Sequence, residues 1–482
     1  MGDSSLKFGT SGVRGLATDL LAGGAAAYAL AFCHVLVSKH GVNAGTNVLL
    51  AHDHRASSPQ IAEAVGATVA SCGLAPVFCG AVPTPALALA ALQESAPAIM
   101  VTGSHIPADR NGLKFYRPDG EIDKADERAI GDTFDGLGDS SERVVGEPMD
   151  GVPDGTARVL KLYFARNIKL AQPSALAGLK IGVYAHTSVA VAPITAVLSH
   201  FGAKVVTLGA AERFVPVDTE SISADMRAQF AVWTTVHGLD AIVSTDADGD
   251  RPLVTDEAGI PLPGDLLGYI AAAHVGAPSM VTPVSSNSAI KSSNGRHVVR
   301  TRIGSPYVLA AMAASDLKTP VVGFEANGGT LLQNTAETPG GTLSALPTRD
   351  AMLPIVATLI DAQRRGVALS KLTEIHGMAN TFADRLTDYP NAVSAVLLTM
   401  LTSAPEDAAA FLSPFGTPHA LDTTDGARFS FDDGRIVHFR PSGNAPELRC
   451  YSEAKSPEEA AQLVSTGLAL ATAFRTSLET ST

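Results

Sequence analysis

Short apolar runs of strand length alternate with alanine-rich stretches of helical length along most of the chain, and that rhythm leaves few folds open. Residues 47–51 (NVLLA) read as a strand, 58–71 as a helix and 75–79 as a strand again. The pattern recurs at 180–184, 192–201 and 204–208, and once more at 265–275, 279–281, 307–314 and 320–322. Strand and helix in alternation predict sheets covered by helices. Near the C-terminus the order changes to helix, strand (427–431), strand (435–439) and a long helix over 456–478 that opens on a Ser-Pro-Glu-Glu cap. A chain of 482 residues exceeds one ordinary core, and about 150 residues per domain gives roughly three. Polar, glycine-rich or pattern-breaking stretches at 136–155, 261–264 and 364–379 mark the expected junctions. The expectation is an α/β protein: three similar α/β domains with mixed, largely parallel sheets plus a smaller C-terminal α+β domain, around a central cleft. The domains are set at 1–145, 155–258, 261–368 and 375–482.

Charge and cysteine content narrow the functional classes. Thirty-five Lys and Arg stand against 48 Asp and Glu, a formal charge of −13, which repels nucleic acid and anionic membranes at long range. An anionic substrate therefore needs a locally basic pocket. Cys33, Cys72, Cys79 and Cys450 have no metal-ligand spacing and read as reduced thiols, with a cytoplasmic location expected. Residues 20–37 carry no formal charge and have the length of a membrane span, but much of the stretch is Ala and Gly with His34 among them, and it reads as a buried first helix. No membrane, nucleic-acid or protein partner is implied.

Four unusual polar sequences each follow directly on an apolar strand: TGSHIP from 102, TDADGD from 245, FEANGG from 324 and RPSGNAPELR from 440. Ligands of parallel α/β sheets bind beyond the carboxyl ends of strands. Asp246, Asp248 and Asp250, at alternate positions around Gly249, offer hard oxygen ligands suited to Mg²⁺ or Ca²⁺. An EF-hand is excluded because the sixth loop position is Arg251 rather than Gly and the flanks read as strands. Ser104, beside His105 and ten residues before Lys114, has the company of a nucleophile or phosphoryl carrier, although a serine in a turn is commonly only a turn former. Glu325 and Asn327 carry the carboxylate and amide that grip sugar hydroxyls, or else merely cap a glycine-rich turn. Arg440 with Ser442, Gly443 and Asn444 composes a phosphate cradle of a guanidinium and backbone N–H groups, or a solvated loop.

Together with FGTSGVRG at 8–15, these loops resemble the α-D-phosphohexomutase superfamily over essentially the whole chain. TGSHIP stands where the family's phosphoserine loop is usually TASHNP, DADGDR for DGDGDR, FEANGG for GEMSG or GEQSG, and RPSGNAP for RPSGTEP. The resemblance implies that Ser104 is the phosphoserine, whose phosphate completes the shell of one Mg²⁺ with Asp246, Asp248 and Asp250. It implies that Arg14 and Arg251 neutralise charge on the transferring phosphoryl group and that Lys114 is a general acid/base. Glu325 and Asn327 hold sugar hydroxyls, and Arg440, Ser442, Gly443 and Asn444 clamp the non-reacting phosphate. A hexose 1,6-bisphosphate is the implied intermediate and activator. Gly103 and Ile106 depart from the usual Ala and Asn, and Gly329 stands where bacterial relatives often carry a His.

The expected activity is transfer of a phosphoryl group between the 1- and 6-positions of a hexose phosphate, most directly mannose 6-phosphate to mannose 1-phosphate. Phosphoglucomutase and phosphoglucosamine mutase are the neighbouring readings. Outside the class stand a metal-dependent sugar-phosphate phosphatase and a non-catalytic sugar-phosphate sensor.

Overall fold

A computed structural model of the chain describes residues 5–9, 12–137, 151–292, 295–315, 318–442 and 446–480. The chain divides into two compact units, Met1–Met280 with Leu309–Leu372, and Val281–Val308 with Thr373–Thr482. Most of the junction expected at 136–155 lies outside the described residues.

The first unit begins with a seven-stranded sheet. Asn47–His52 pairs parallel with both Ala75–Ala81 and Ala98–Val101. Arg110–Arg117 then runs antiparallel beside Ala98–Val101, and Val13–Leu16 antiparallel beside Arg110–Arg117. The uncharged stretch after residue 20 becomes a short turn of π-helix and the helix Ala25–His40, which ends on Gly41 in the left-handed conformation (φ 62°). Ala17–His40 is long and apolar enough to cross a membrane by composition. Its Phe32, Val35 and Leu36 are nevertheless buried in one core with Val48, Leu50, Ile61, Ile99 and Leu113.

A second sheet sets Ala241–Thr245, Lys180–His186 and Lys204–Ala210 parallel, with Pro252–Val254 antiparallel at one edge. In the third segment Val321–Phe324, Thr330–Gln333 and Leu346–Asp350 run antiparallel. The mixed sheets are as expected, but the strands at 330–333 and 346–350 were not, and here pairing is antiparallel rather than largely parallel. The reason is loop length: only residues 325–329 separate the first two strands, and a parallel crossover needs a dozen or more. The helices Gly264–His274 and Met352–Arg365, the latter also unforeseen, pack together over this segment.

The second unit carries a five-stranded antiparallel sheet in the order Asn380–Leu386, Leu448–Ala454, Ile436–Pro441, Ala427–Ser430, Ala420–Asp422. The helix Pro457–Thr480 buries Leu463 and Val464 in one core with Phe429, Val437 and Phe439. Its start is capped as expected: Glu459 N donates to Ser456 Oγ at 3.2 Å, and the Glu459 carboxylate accepts from Lys455 N at 3.2 Å.

His438, buried on Ile436–Pro441, sits 2.6 Å from the Asp425 carbonyl, and burial pulls its pKa down to about 4. The unfolded chain takes up that proton near pH 6.5 and the folded chain only near pH 4. The contribution is therefore complete above pH 6.5 and lost as pH falls toward 4, by on the order of 3 kcal/mol. A His438→Gln variant followed by circular dichroism melting should show a shallower loss of Tm between pH 7 and 5. An unchanged slope refutes this assignment.

Candidate active site

Ser104 is fully buried and lies three residues beyond the end of the strand Ala98–Val101, with φ at 55°, a conformation that costs a non-glycine residue about 1–2 kcal/mol. A buried network around Asp53 and Arg55 holds it there. Thr102 Oγ1 donates to Asp53 Oδ2 at 2.7 Å and accepts from Ser104 N at 2.8 Å. The Arg55 guanidinium donates to the carbonyls of Ser104, Ile106, Pro107 and Arg110 at 2.6–2.9 Å and lies 4.1 Å from the Phe214 ring centroid. A Cβ on Gly103 would meet Arg55 Cζ at 2.7 Å, so glycine in place of the family's alanine makes room for this clamp. Neither Asp53 nor Arg55 was singled out in the sequence, where they sit in the plain-looking AHDHR of residues 51–55.

The acidic turn follows Ala241–Thr245 and pivots on Gly249 (φ 77°). Asp246 Oδ1 accepts from the backbone N–H groups of Asp250 and Arg251, while Oδ2 accepts from Ser104 Oγ at 2.5 Å. From the strand Arg110–Arg117, Lys114 Nζ reaches Asp248 Oδ2 at 2.5 Å and Asp250 Oδ2 at 2.6 Å. Thr84, opening the helix Thr84–Glu94, pins Asp248 by its N–H to the carbonyl and its hydroxyl to Oδ2. Ligand oxygens of the three aspartates lie within 4.8 Å of one another, all buried. Asp248 Oδ1 and Asp250 Oδ1 are buried without a hydrogen-bond partner among the described residues.

That donor set fits a divalent cation. Burial, with Asp248 and Asp250 alongside, pushes the Asp246 carboxyl well above the usual range. Burial likewise opposes charge on Asp250, but Arg349 and Lys114 outweigh it and hold that carboxyl low. Three buried carboxylates stay ionised together only with more positive charge at hand, and hard oxygens with free lone pairs are what Mg²⁺ takes.

Around this cluster stand cations and one neutral imidazole. Burial, then Arg251 and Arg349, lowers Arg14 to about 10, which leaves it charged at neutral pH. His105 Nδ1 is 3.2 Å from Ser104 Oγ, and burial followed by Arg251 and Arg14 drives its pKa down to about 2. Its neutral ring can accept from the serine, in competition with Asp246. Arg251 is steadied at longer range by Asp218 and Glu220 (3.9 and 3.7 Å).

Glu325 and Asn327 are both buried in the loop between Val321–Phe324 and Thr330–Gln333, with Asn327 Oδ1 accepting from Gly329 N at 2.9 Å. Arg349, on Leu346–Asp350, joins this loop to the acidic turn. Its Nη2 and Nε donate to Asp250 Oδ2 at 2.8 and 3.2 Å, and its Nη1 lies 3.5 Å from Glu325 Oε2. This residue too was missed. A charged Arg-Asp pair closing the short segment LPTRD was the available signal.

The first unit thus gathers Ser104, Lys114, Asp246, Asp248, Asp250, Arg14, Arg251, Glu325 and Asn327. In the second unit, Arg440 Nε donates to Asp425 Oδ2 at 3.0 Å, and Ser442 N donates to the Glu447 carbonyl at 2.8 Å. Gly443 and Asn444 lie outside the described residues.

Three family models match: phosphoglucomutase/phosphomannomutase α/β/α domain I over residues 5–139, α/β/α domain III over 263–376 and the C-terminal domain over 397–466. The chain is 47% identical over 466 residues to a phosphomannomutase of Sinorhizobium fredii, covering 96% of this chain and 98% of that one. It is 42% identical over 469 residues to a phosphomannomutase of Salmonella muenchen, covering 96% and 95%. Identity to a phosphoglucosamine mutase of Thermobifida fusca is 29%, covering 94% and 95%. The fold is shared with a phosphoglucomutase/phosphomannomutase family protein of Burkholderia thailandensis (TM-score 0.71, 19% identity, 97% of each chain). It is shared also with an Aspergillus fumigatus N-acetylphosphoglucosamine mutase in complex with GlcNAc-6P and magnesium (TM-score 0.56, 16% identity, 97% and 95%).

Proposed function

The chain belongs to the phosphoglucomutase/phosphomannomutase family of phosphohexomutases, and from that premise we propose that it interconverts mannose 6-phosphate and mannose 1-phosphate through a phosphorylated Ser104. The observation that carries the reading is the 2.5 Å contact of Ser104 Oγ with Asp246, inside a buried cluster that Lys114 completes. The higher identity to phosphomannomutases than to a phosphoglucosamine mutase favours mannose. The four-domain division at 1–145, 155–258, 261–368 and 375–482 belongs to this reading, and a reducing cytoplasm suits four unbridged cysteines.

In the first half-reaction the bond from phosphorus to Ser104 Oγ breaks as a bond to the free sugar hydroxyl forms, giving the hexose 1,6-bisphosphate. The hydroxyl's proton is released through water and Ser104 Oγ takes one up, so the half-reaction consumes no net proton. Lys114, whose charged form Asp248 and Asp250 favour over the opposing effect of burial, is set to donate it. In the second half-reaction Ser104 Oγ attacks the other phosphoryl group of the turned intermediate. The bond from that phosphorus to the sugar oxygen breaks, the sugar oxygen takes up a proton to leave as a hydroxyl, and Ser104 Oγ gives its proton up. Arg14 and Arg251 neutralise charge on the transferring group. Glu325 and Asn327 orient the sugar ring by its hydroxyls, while Arg440 and Ser442, with Gly443 and Asn444, take the phosphate that is not reacting. Asp246, Asp248 and Asp250 would hold Mg²⁺, which supplies Lewis-acid stabilisation of phosphoryl oxygens. Free hexose 1,6-bisphosphate charges Ser104 and so acts as activator.

The test offers mannose 6-phosphate, glucose 6-phosphate and glucosamine 6-phosphate to the purified protein with Mg²⁺ and glucose 1,6-bisphosphate, read by phosphorus NMR. Mannose 1-phosphate should form fastest. Release of inorganic phosphate without any isomer would overturn the reading in favour of a phosphatase.

A further inference from the structure

Gly329 has no room for a side chain. A Cβ there would lie 2.8 Å from Arg349 Cδ, 3.0 Å from Arg349 Cγ and 3.0 Å from Asn327 Oδ1, distances at which something must move. The neighbour in the way is not a flexible tip but the stem of an arginine that is itself buried and fixed at its far end. One edge of the guanidinium is held on Asp250 at 2.8 and 3.2 Å, and the third nitrogen sits beside Glu325. The planar fork therefore spans two carboxylates with different tasks, one in the acidic cluster and one in the sugar-facing loop, and it reaches both only by crossing over the bare backbone of residue 329.

We propose that Arg349 is a positioning residue that fixes Asp250 and Glu325 relative to one another, and that Gly329 is the space this arginine requires. The proposal rests on the mutase reading for the tasks of the two carboxylates. Asp248, Asp250 and Glu325 are paired directly with Lys114 and Arg349, with Arg251 and Arg14 also acting on the cluster, and Arg349, which alone of these pairs with both Asp250 and Glu325, has two separable effects. Its charge weakens the attraction of the acidic cluster for a dication. Its fork orders Glu325 for a sugar. A neutral replacement of similar length removes both, and a lysine retains the charge without the fork.

The experiment uses the full chain and two probes measured separately, Mn²⁺ by calorimetry and electron paramagnetic resonance, and mannose 6-phosphate by calorimetry, alongside KM and kcat. Arg349→Met should bind Mn²⁺ roughly fivefold to tenfold more tightly, because a neighbouring positive charge has gone. The same variant should bind mannose 6-phosphate about tenfold more weakly, because Glu325 has lost a charged partner. Arg349→Lys should keep Mn²⁺ affinity within about twofold and recover only part of the sugar affinity. Gly329→Ala, which touches neither carboxylate, should weaken mannose 6-phosphate as Arg349→Lys does, with KM rising more than kcat falls. A residue that merely props the fold predicts the opposite pattern, Mn²⁺ and sugar affinity falling together with Tm, and that outcome overturns the proposal. So does a Gly329→Ala variant with unaltered binding of both probes. Wild-type protein that binds neither probe refutes the mutase reading itself, before any variant is compared.

Discussion

Ser104→Ala is expected to lower hexose-phosphate isomerisation by at least about 10⁴-fold while the chain still folds, since a covalent carrier has no substitute among the described residues of the cluster. Among the described residues only Ser104 Oγ is placed 2.5 Å from Asp246 and 3.2 Å from His105. The Thr102 hydroxyl is committed to Asp53 and the Ser104 N–H. Alanine keeps the bonds that hold the loop, because Arg55 grips carbonyl oxygens and Thr102 grips the residue 104 N–H, neither of which needs the hydroxyl. The backbone strain at φ 55° is the same for either residue. The measurement is mannose 6-phosphate turnover together with phosphopeptide mapping after incubation with glucose 1,6-bisphosphate. A variant that retains more than about 1% of turnover, or takes a stable phosphate on another residue, refutes the assignment of Ser104 as carrier.

The second large effect is expected from the metal site. Asp248→Asn should reduce Mn²⁺ affinity by about 100-fold or more and turnover by roughly 10³-fold, through loss of one anionic ligand and of the charge that pairs with Lys114. Asp248 is well suited to the test. Its Oδ2 accepts from Lys114 and Thr84, both of which an amide oxygen still accepts, so the substitution keeps the packing and removes the charge. Mg²⁺ that binds only the folded chain should raise the wild-type melting temperature, with about 2.7 kcal/mol of stabilisation at 100 times the dissociation constant. That rise should be absent in the variant. In wild-type protein EDTA should abolish turnover and added Mg²⁺ restore it. Full activity in EDTA, or an Asp248→Asn protein still stabilised by Mg²⁺, contradicts the assignment.

Local chemistry made part of this site readable in one dimension. Asp246, Asp248 and Asp250 lie within five residues, so alternate spacing about a glycine already forces their carboxylates together, and the structure finds their oxygens within 4.8 Å. Ser104, Glu325 and Asn327 could be picked out because each lies just beyond an apolar strand, where sheets of this kind present their loops. Tertiary structure alone revealed two residues that act across distance. Arg349 meets a carboxylate 99 positions away, and Arg55 a carbonyl 49 positions away, and nothing in the flanking sequence of either names its partner. The same holds for Gly103 and Gly329. A glycine in a loop reads as a turn former, and only the side chain lying across it reveals that the missing Cβ is needed for an arginine to pass. Strand direction divides along the same line. The period of apolar residues announces a strand, but whether its neighbour runs with it or against it depends on how the connection closes. At residues 325–329 five residues can only turn back, which sets Glu325 and Asn327 in a tight reversal facing Arg349.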